Sequence, residues 1–207
     1  MVFPKFCKNG NHEAHNLLKS PFTTLQKLHS LESHSLLKYA YKLTAKVLSP
    51  TSLERQNVTL VLQIFNEYVI QALLTLGAQK CLPNFAEVAE YIEVFHTWWT
   101  ILNVKTPFKG IRFNNKHAYP LTNNINDENY KFLDVFCNWL NCWNNIPGNL
   151  GKLTKETFTA LHHTTYAMFE LTNYCIDELK MQYILPGKFQ TDNLEARFGQ
   201  YRQLTGE

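Results

Sequence analysis

The sequence predicts a mainly α-helical bundle that ends in a short strand or hairpin and one further helix. Three observations carry this. Apolar residues recur at helical spacing through most of the chain. Paired start signals, a small polar residue followed by a helix former, precede several of those runs. The character then changes after Met181, where a short apolar run leads into Pro186-Gly187 and a polar cap. At 207 residues, 45% hydrophobic and 18% charged, the chain is long and apolar enough to build a substantial core. Aromatic residues make up 14%, and each buries a large area.

Residues 1–21 show no clear period and read as an irregular leader. His12, Glu13 and His15 lie there without further ligands beside them, so they read as solvated rather than as a metal site. Leu25, Leu28 and Leu31 predict a short helix over 22–31, and Leu36, Leu37, Tyr39, Ala40 and Leu43 predict another over 34–43. Ser49-Pro50 reads as an N-cap followed by proline in the first turn. A helix apolar around much of its circumference should then run from 51 to 76 and stop at Gly77.

Asn84 and Glu87 read as a capping box for a helix that ends near Leu102. Residues 103–126 read as loop, with Pro107, Gly110, Pro120 and many Asn. Asp127 should cap a helix through Trp143, and Thr154 another to about Lys180. Short extended pieces at 182–185 and 188–190 flank Pro186-Gly187, and a last helix covers 191–204.

Charge and cysteine content exclude several classes. The net charge of +3 is too small to indicate nucleic-acid binding by itself. The five cysteines, Cys7, Cys81, Cys137, Cys142 and Cys175, are odd in number and scattered, which argues against a disulfide framework. Cys137 and Cys142 would lie about 140° apart on a helix, poor geometry for one metal. They read as buried thiols in a reducing compartment. No apolar leader and no uninterrupted apolar span is evident, so neither a signal peptide nor a membrane partner is expected. P-loop, dinucleotide and nucleophile-elbow motifs do not occur. His162-His163 lacks an accompanying nucleophile and reads as structural.

The terminal segment Thr191-Asp192-Asn193-Leu194-Glu195-Ala196-Arg197-Phe198-Gly199-Gln200-Tyr201-Arg202 resembles the end of the catalytic domain of P-element-type transposases, the group that includes the THAP-domain transposases. Two further stretches resemble that family's helical GTP-binding insertion: Ser49 to Leu60, and Tyr91-Ile92-Glu93-Val94-Phe95-His96-Thr97-Trp98-Trp99-Thr100-Ile101-Leu102-Asn103. Leu153-Thr154 resembles the segment leading back to the core.

The resemblance implies a helical GTP-binding-type insertion over residues 22–180. It makes 181–207 the last strand and helix of a split RNase H-like domain. It implies Glu195 as a catalytic carboxylate and metal ligand, Asp192 as a second contact to metal or nucleotide, and Trp99 and Asn103 as nucleotide contacts. Mg2+ and GTP would be the cofactors, DNA the partner of the complete enzyme, a homo-oligomer its form and the nucleus its location.

The same residues have plainer readings. Asp192 and Glu195 match an ordinary capping box, and Trp98 and Trp99 match helix-face packing. Arg197 and Arg202 either touch phosphates or flank the helix. The chain also departs from the family pattern. Asn57 and Thr59 stand near positions where members carry Lys or Arg, and Thr100 stands where they carry Asp. A carboxylate facing guanine's N–H groups is therefore missing. One acid cannot hold two metal ions, so the chain alone should not cut DNA. A helical protein-interaction module without catalysis is the alternative.

Overall fold

The structure is a computed structural model and describes residues 1–148, 151–190 and 200. It is mainly helical with one small antiparallel sheet. The chain forms two compact units: residues 1–98 with 132–166, and residues 99–131 with 167–207.

In the first unit, Val2–Pro4 (β1) pairs antiparallel with Leu17–Lys19 (β2), placing Phe3 opposite Leu18. This corrects the expectation of an irregular leader. The segment is anchored because Phe3 is fully buried, 5.2 Å from the Tyr91 ring and about equally close to Trp139 and Trp143, at 6.3 and 6.1 Å. The Trp139 indole also donates to the Pro4 carbonyl at 2.7 Å. His12 is half-buried: it accepts from the Cys7 amide at 3.2 Å and meets the Val135 carbonyl at 3.1 Å. Glu90 accepts from the Phe6 amide. Both partners are distant in sequence, so periodicity within the first twenty residues could not reveal them.

Phe22–Glu32 (α1) packs on Ala45–Leu48 (α2) and on Glu67–Gln79 (α4). The predicted helix over 34–43 does not form. The buried Glu32 carboxylate instead accepts from the Tyr39 and Ala40 amides at 2.6 and 3.1 Å, giving those donors a partner outside any helix.

The predicted 51–76 helix is interrupted. A short Val58–Leu62 helix (α3) is followed by a break and then α4. Asn66 makes the break: its carbonyl oxygen accepts from the Tyr68 and Val69 amides, and its amide donates to Gln63 and Leu62 carbonyls. Ser49 closes α2 rather than opening a helix. Gly77 lies inside α4, where an added Cβ would sit 2.4 Å from the Phe85 ring. Val58–Gln79 as a stretch has the length and composition of a membrane span, with mean hydropathy 1.4. The 13 residues of α4 cover only ~20 Å, short of the ~30 Å hydrocarbon thickness.

Phe85–Leu102 (α5) keeps its predicted bounds. Asn84 has φ +50°, and its side chain donates to Glu87 rather than capping an amide. Glu128–Asn144 (α7) starts where Asp127 accepts from the Asn129 and Tyr130 amides, as predicted. Thr154 caps Lys155–Asn173 (α8) through the Thr157 amide. That helix ends earlier than expected and passes into a π turn over Tyr174–Glu178. His162 stands in an aromatic row on α8, 5.4 Å from Phe158 and nearly parallel to Tyr166.

Two apolar clusters hold the first unit. One gathers Leu25, Leu28, Val69, Leu73, Val88 and Ile92; the other gathers Phe3, Phe136, Trp139, Leu140 and Trp143. Burial pushes the Cys137 thiol up to about 11, as expected of an inert core thiol, while Cys142 is only half-buried and Cys81 is exposed.

In the second unit, the stretch predicted as loop contains a short helix, Lys109–Phe113 (α6), closed by Asn114 in the left-handed conformation. Leu121 bridges Ile184 in antiparallel fashion, so the predicted extended piece at 182–185 makes one bridge. Pro186–Lys188 is a 3-10 turn. The expectation of a last helix over 191–204 falls almost wholly outside the described residues, and Asp192, Glu195, Arg197 and Arg202 all lie outside them.

Candidate functional site

The described part of the candidate site is the C-terminal end of α5 and the chain that follows. A helix end leaves carbonyl groups without partners. Here the Leu102 carbonyl accepts from the Gln190 side-chain Nε2 at 3.3 Å, and the Asn103 backbone carbonyl from the Lys109 ammonium at 3.1 Å. A cation at this end also complements the helix dipole. Gly187 donates its amide to Val104 at 3.0 Å. It sits so close that a Cβ would lie 3.0 Å from the Asn103 carbonyl carbon. Ile101 and Val104 are fully buried and fix the backbone on either side.

Among the described residues, the Asn103 side-chain oxygen is buried with no hydrogen-bond partner. An unmet buried acceptor of this kind costs about 1–3 kcal/mol. An acceptor of this kind is matched by an N–H or O–H donor. Lys109 has its ammonium held below the usual lysine range, first by burial and then by the Lys105 charge.

The two tryptophans of α5 separate in role. Trp98 stacks on Phe136 at 5.7 Å and donates to the Thr165 hydroxyl at 2.9 Å, so its place is in the core. Trp99 is half-buried and takes no part in that stack. Thr100 is only 9% exposed. Asn103 follows Trp99 by one turn, and its amide bonds the Trp99 carbonyl at 3.0 Å. The structure thus places Trp99 and Asn103 on successive turns at one helix end. Sequence reasoning missed Lys109, Gly187 and Gln190 around Asn103. The available signal was the pair Lys105 and Lys109 after a helix end, in a stretch read as loop.

Among the described residues, no three His, Cys, Asp or Glu side chains gather to hold a metal. Asp192 and Glu195, the expected ligands, lie outside those residues.

This architecture, a mainly helical body, has a solved counterpart among DNA transposases. The Drosophila P element transposase strand transfer complex matches it with a TM-score of 0.67 over 86% of this chain, at 20% identity. The resemblance seen in the residues therefore extends to the fold. The match covers 39% of the other chain, so this chain spans about two fifths of its length. No protein-family model and no curated protein matches the sequence.

Proposed function

We propose that this chain is the part of a P-element-like transposase that supplies the helical nucleotide-binding insertion and the last catalytic carboxylate. The shared fold carries this reading, and the Asn103 oxygen supports its nucleotide half. That acceptor, beside half-buried Trp99, suits a ligand with a donor group and a flat ring. Guanine is a poorer fit. Thr100 has no charge to set against the ring's N–H groups, and it is buried.

In the complete enzyme Glu195, with Asp192, would hold Mg2+ for DNA cleavage and strand transfer, chemistry that all-oxygen ligands suit. DNA is the partner, the nucleus the location, and the enzyme a homo-oligomer. Residues 1–21 belong with the helical body under this reading, and 181–207 with the catalytic domain.

In a reconstituted longer enzyme, Glu195→Gln is expected to abolish strand transfer and leave folding intact. Persistent activity would refute the catalytic assignment. Calorimetric titration of this chain with GTP and Mg2+ should give binding weaker than about millimolar, where one millimolar corresponds to roughly −4.1 kcal/mol.

A second reading, a non-catalytic interaction module, is favoured by the exposure of Phe108, Ile111 and Phe113 on and beside α6. An upstream reading frame encoding a THAP module and two further acids on strands decides for the transposase.

A further inference from the structure

The loop between α1 and α2 is an unusual surface. Leu36 is fully exposed and Leu37 is 87% exposed, yet the loop carrying them is held in place. Glu32 fastens the Tyr39 and Ala40 amides, the Ser35 hydroxyl donates to the Leu37 carbonyl at 2.7 Å, and Ala40 and Leu43 are buried in the core.

The charge along the loop itself is positive. Between Glu32 and Glu54 the sequence has Lys38, Lys42 and Lys46 and no acid. Lys46 pairs with Glu54 at 2.7 Å, and Glu32 is occupied by backbone amides. Beside the loop, the Tyr41 and Tyr68 rings meet edge to face at 4.9 Å. The Lys42 ammonium lies 5.7 and 5.2 Å from their centroids. Glu67, next to Tyr68, is the acid at the edge of this patch.

We propose that this surface is a contact for duplex DNA. Lys38 and Lys42 bind flanking phosphates, Tyr41 and Tyr68 pack on the backbone, and Leu36-Leu37 wedge into the minor groove. The inference rests on the DNA partner of the preceding reading and adds where on this chain that partner binds. Exposed apolar side chains on a fixed loop bordered by lysines are the combination by which groove-binding proteins unstack a base step. Ammonium groups among aromatic rings suit a phosphate chain. An apolar protein groove would account for the leucines and leave the uncompensated lysines unexplained.

The test is fluorescence anisotropy of a labelled duplex over about 50–200 mM salt, where phosphate contacts dominate the salt response. Three chains are compared: the unmodified chain, Lys38→Ala/Lys42→Ala and Leu36→Ser/Leu37→Ser. Leu36, Leu37 and Lys38 are exposed and Lys42 is half-buried, and circular dichroism verifies folding of each variant. The lysine pair should lower the log–log salt slope by about 2. The leucine pair should weaken binding about tenfold at unchanged slope and reduce bending seen by end-to-end energy transfer. If DNA binds with the same slope after lysine removal, this surface is the wrong one and the transposase reading stands. If the unmodified chain does not bind duplex at the lowest salt, both this contact and the DNA partner of this chain are refuted, while the Glu195 test remains separate. Binding of an acidic protein in place of DNA, lost in the same variants, would also overturn the proposal.

Discussion

Phe3→Ala should unfold the first unit to a degree that no leader residue could cause. The side chain is fully buried, with ring centroids 5.2, 6.3 and 6.1 Å from Tyr91, Trp139 and Trp143. Removing a buried phenylalanine costs about 3–5 kcal/mol in transfer and cavity terms. Some of the aromatic-pair contribution, about 0.5–1.5 kcal/mol per pair, is lost with it. At about 2–4 °C per kcal/mol for a chain of this size, the midpoint should fall by roughly 6–20 °C. The assay is urea and thermal denaturation followed by far-ultraviolet dichroism and by tryptophan emission, which reports on Trp139 and Trp143 beside the site. Leu17→Ala, on the more exposed strand of the same hairpin, serves as the control and should cost well under 1 kcal/mol. A Phe3→Ala loss below about 1 kcal/mol would refute the core role of the N-terminal hairpin.

Two other outcomes follow from the first unit. Gly77→Ala should destabilise by about 1–3 kcal/mol, because its Cβ would meet the Phe85 ring at 2.4 Å and overpacking outweighs the gain of about 1 kcal/mol in helix propensity; a stabilised variant in denaturant titration would show that Phe85 moves aside freely. Acidification should weaken the fold through His12 and His96, whose imidazoles are held below the usual histidine range mainly by burial. With the folded value below the unfolded one, the unfolded chain takes the proton first. Their stabilisation is then complete above about pH 6.5 and is lost as pH falls through the depressed folded values. Glu90, raised by burial, works oppositely: its contribution is present at low pH and is lost as pH rises through its folded value. Thermal midpoints at pH 7.5 and 5.5 should differ less in His12→Gln than in the unmodified chain; an equal difference would exclude His12 as a source.

Much of the helical body was legible because its signals are local. Asp127 and Thr154 cap helices through amides two or three residues away, and the apolar period of 85–102 sits on one continuous helix. What escaped was set by distant partners or by side chains that imitate backbone. Asn66 carries no glycine or proline signal, yet its amide group alone serves four backbone groups and splits a helix that reads as continuous. Glu32 takes two amides that leucine spacing assigned to a helix. Gly77 looked like a stop and is a packing position instead. At the candidate site the sequence pointed to Trp99 and Asn103. The surroundings of Asn103 depend on Gly187 and Gln190, more than eighty residues away, and no local pattern announces them.

The burial of Thr100 turns the question of guanine recognition into a stability experiment. The side chain is 9% exposed, so Thr100→Asp places a carboxylate where water cannot solvate it well. Without ligand the variant should lose stability, since a buried acid either remains charged at a cost or takes up a proton. If this helix end, with Trp99 and Asn103, accepts guanine, GTP supplies the missing partners through its ring N–H groups. The midpoint should then rise with GTP concentration, the unfolding free energy increasing by about 2.7 kcal/mol at a hundred times the dissociation constant. Adenosine triphosphate, which presents a different pattern of donors, should not reproduce this. The unmodified chain, with its neutral threonine, should respond weakly to both. Equal rescue by the two nucleotides would mean that the site recognises phosphates and ring stacking alone. No rescue by either would show that this helix end no longer admits a purine base, and the unmet Asn103 oxygen would then have to be assigned to another donor.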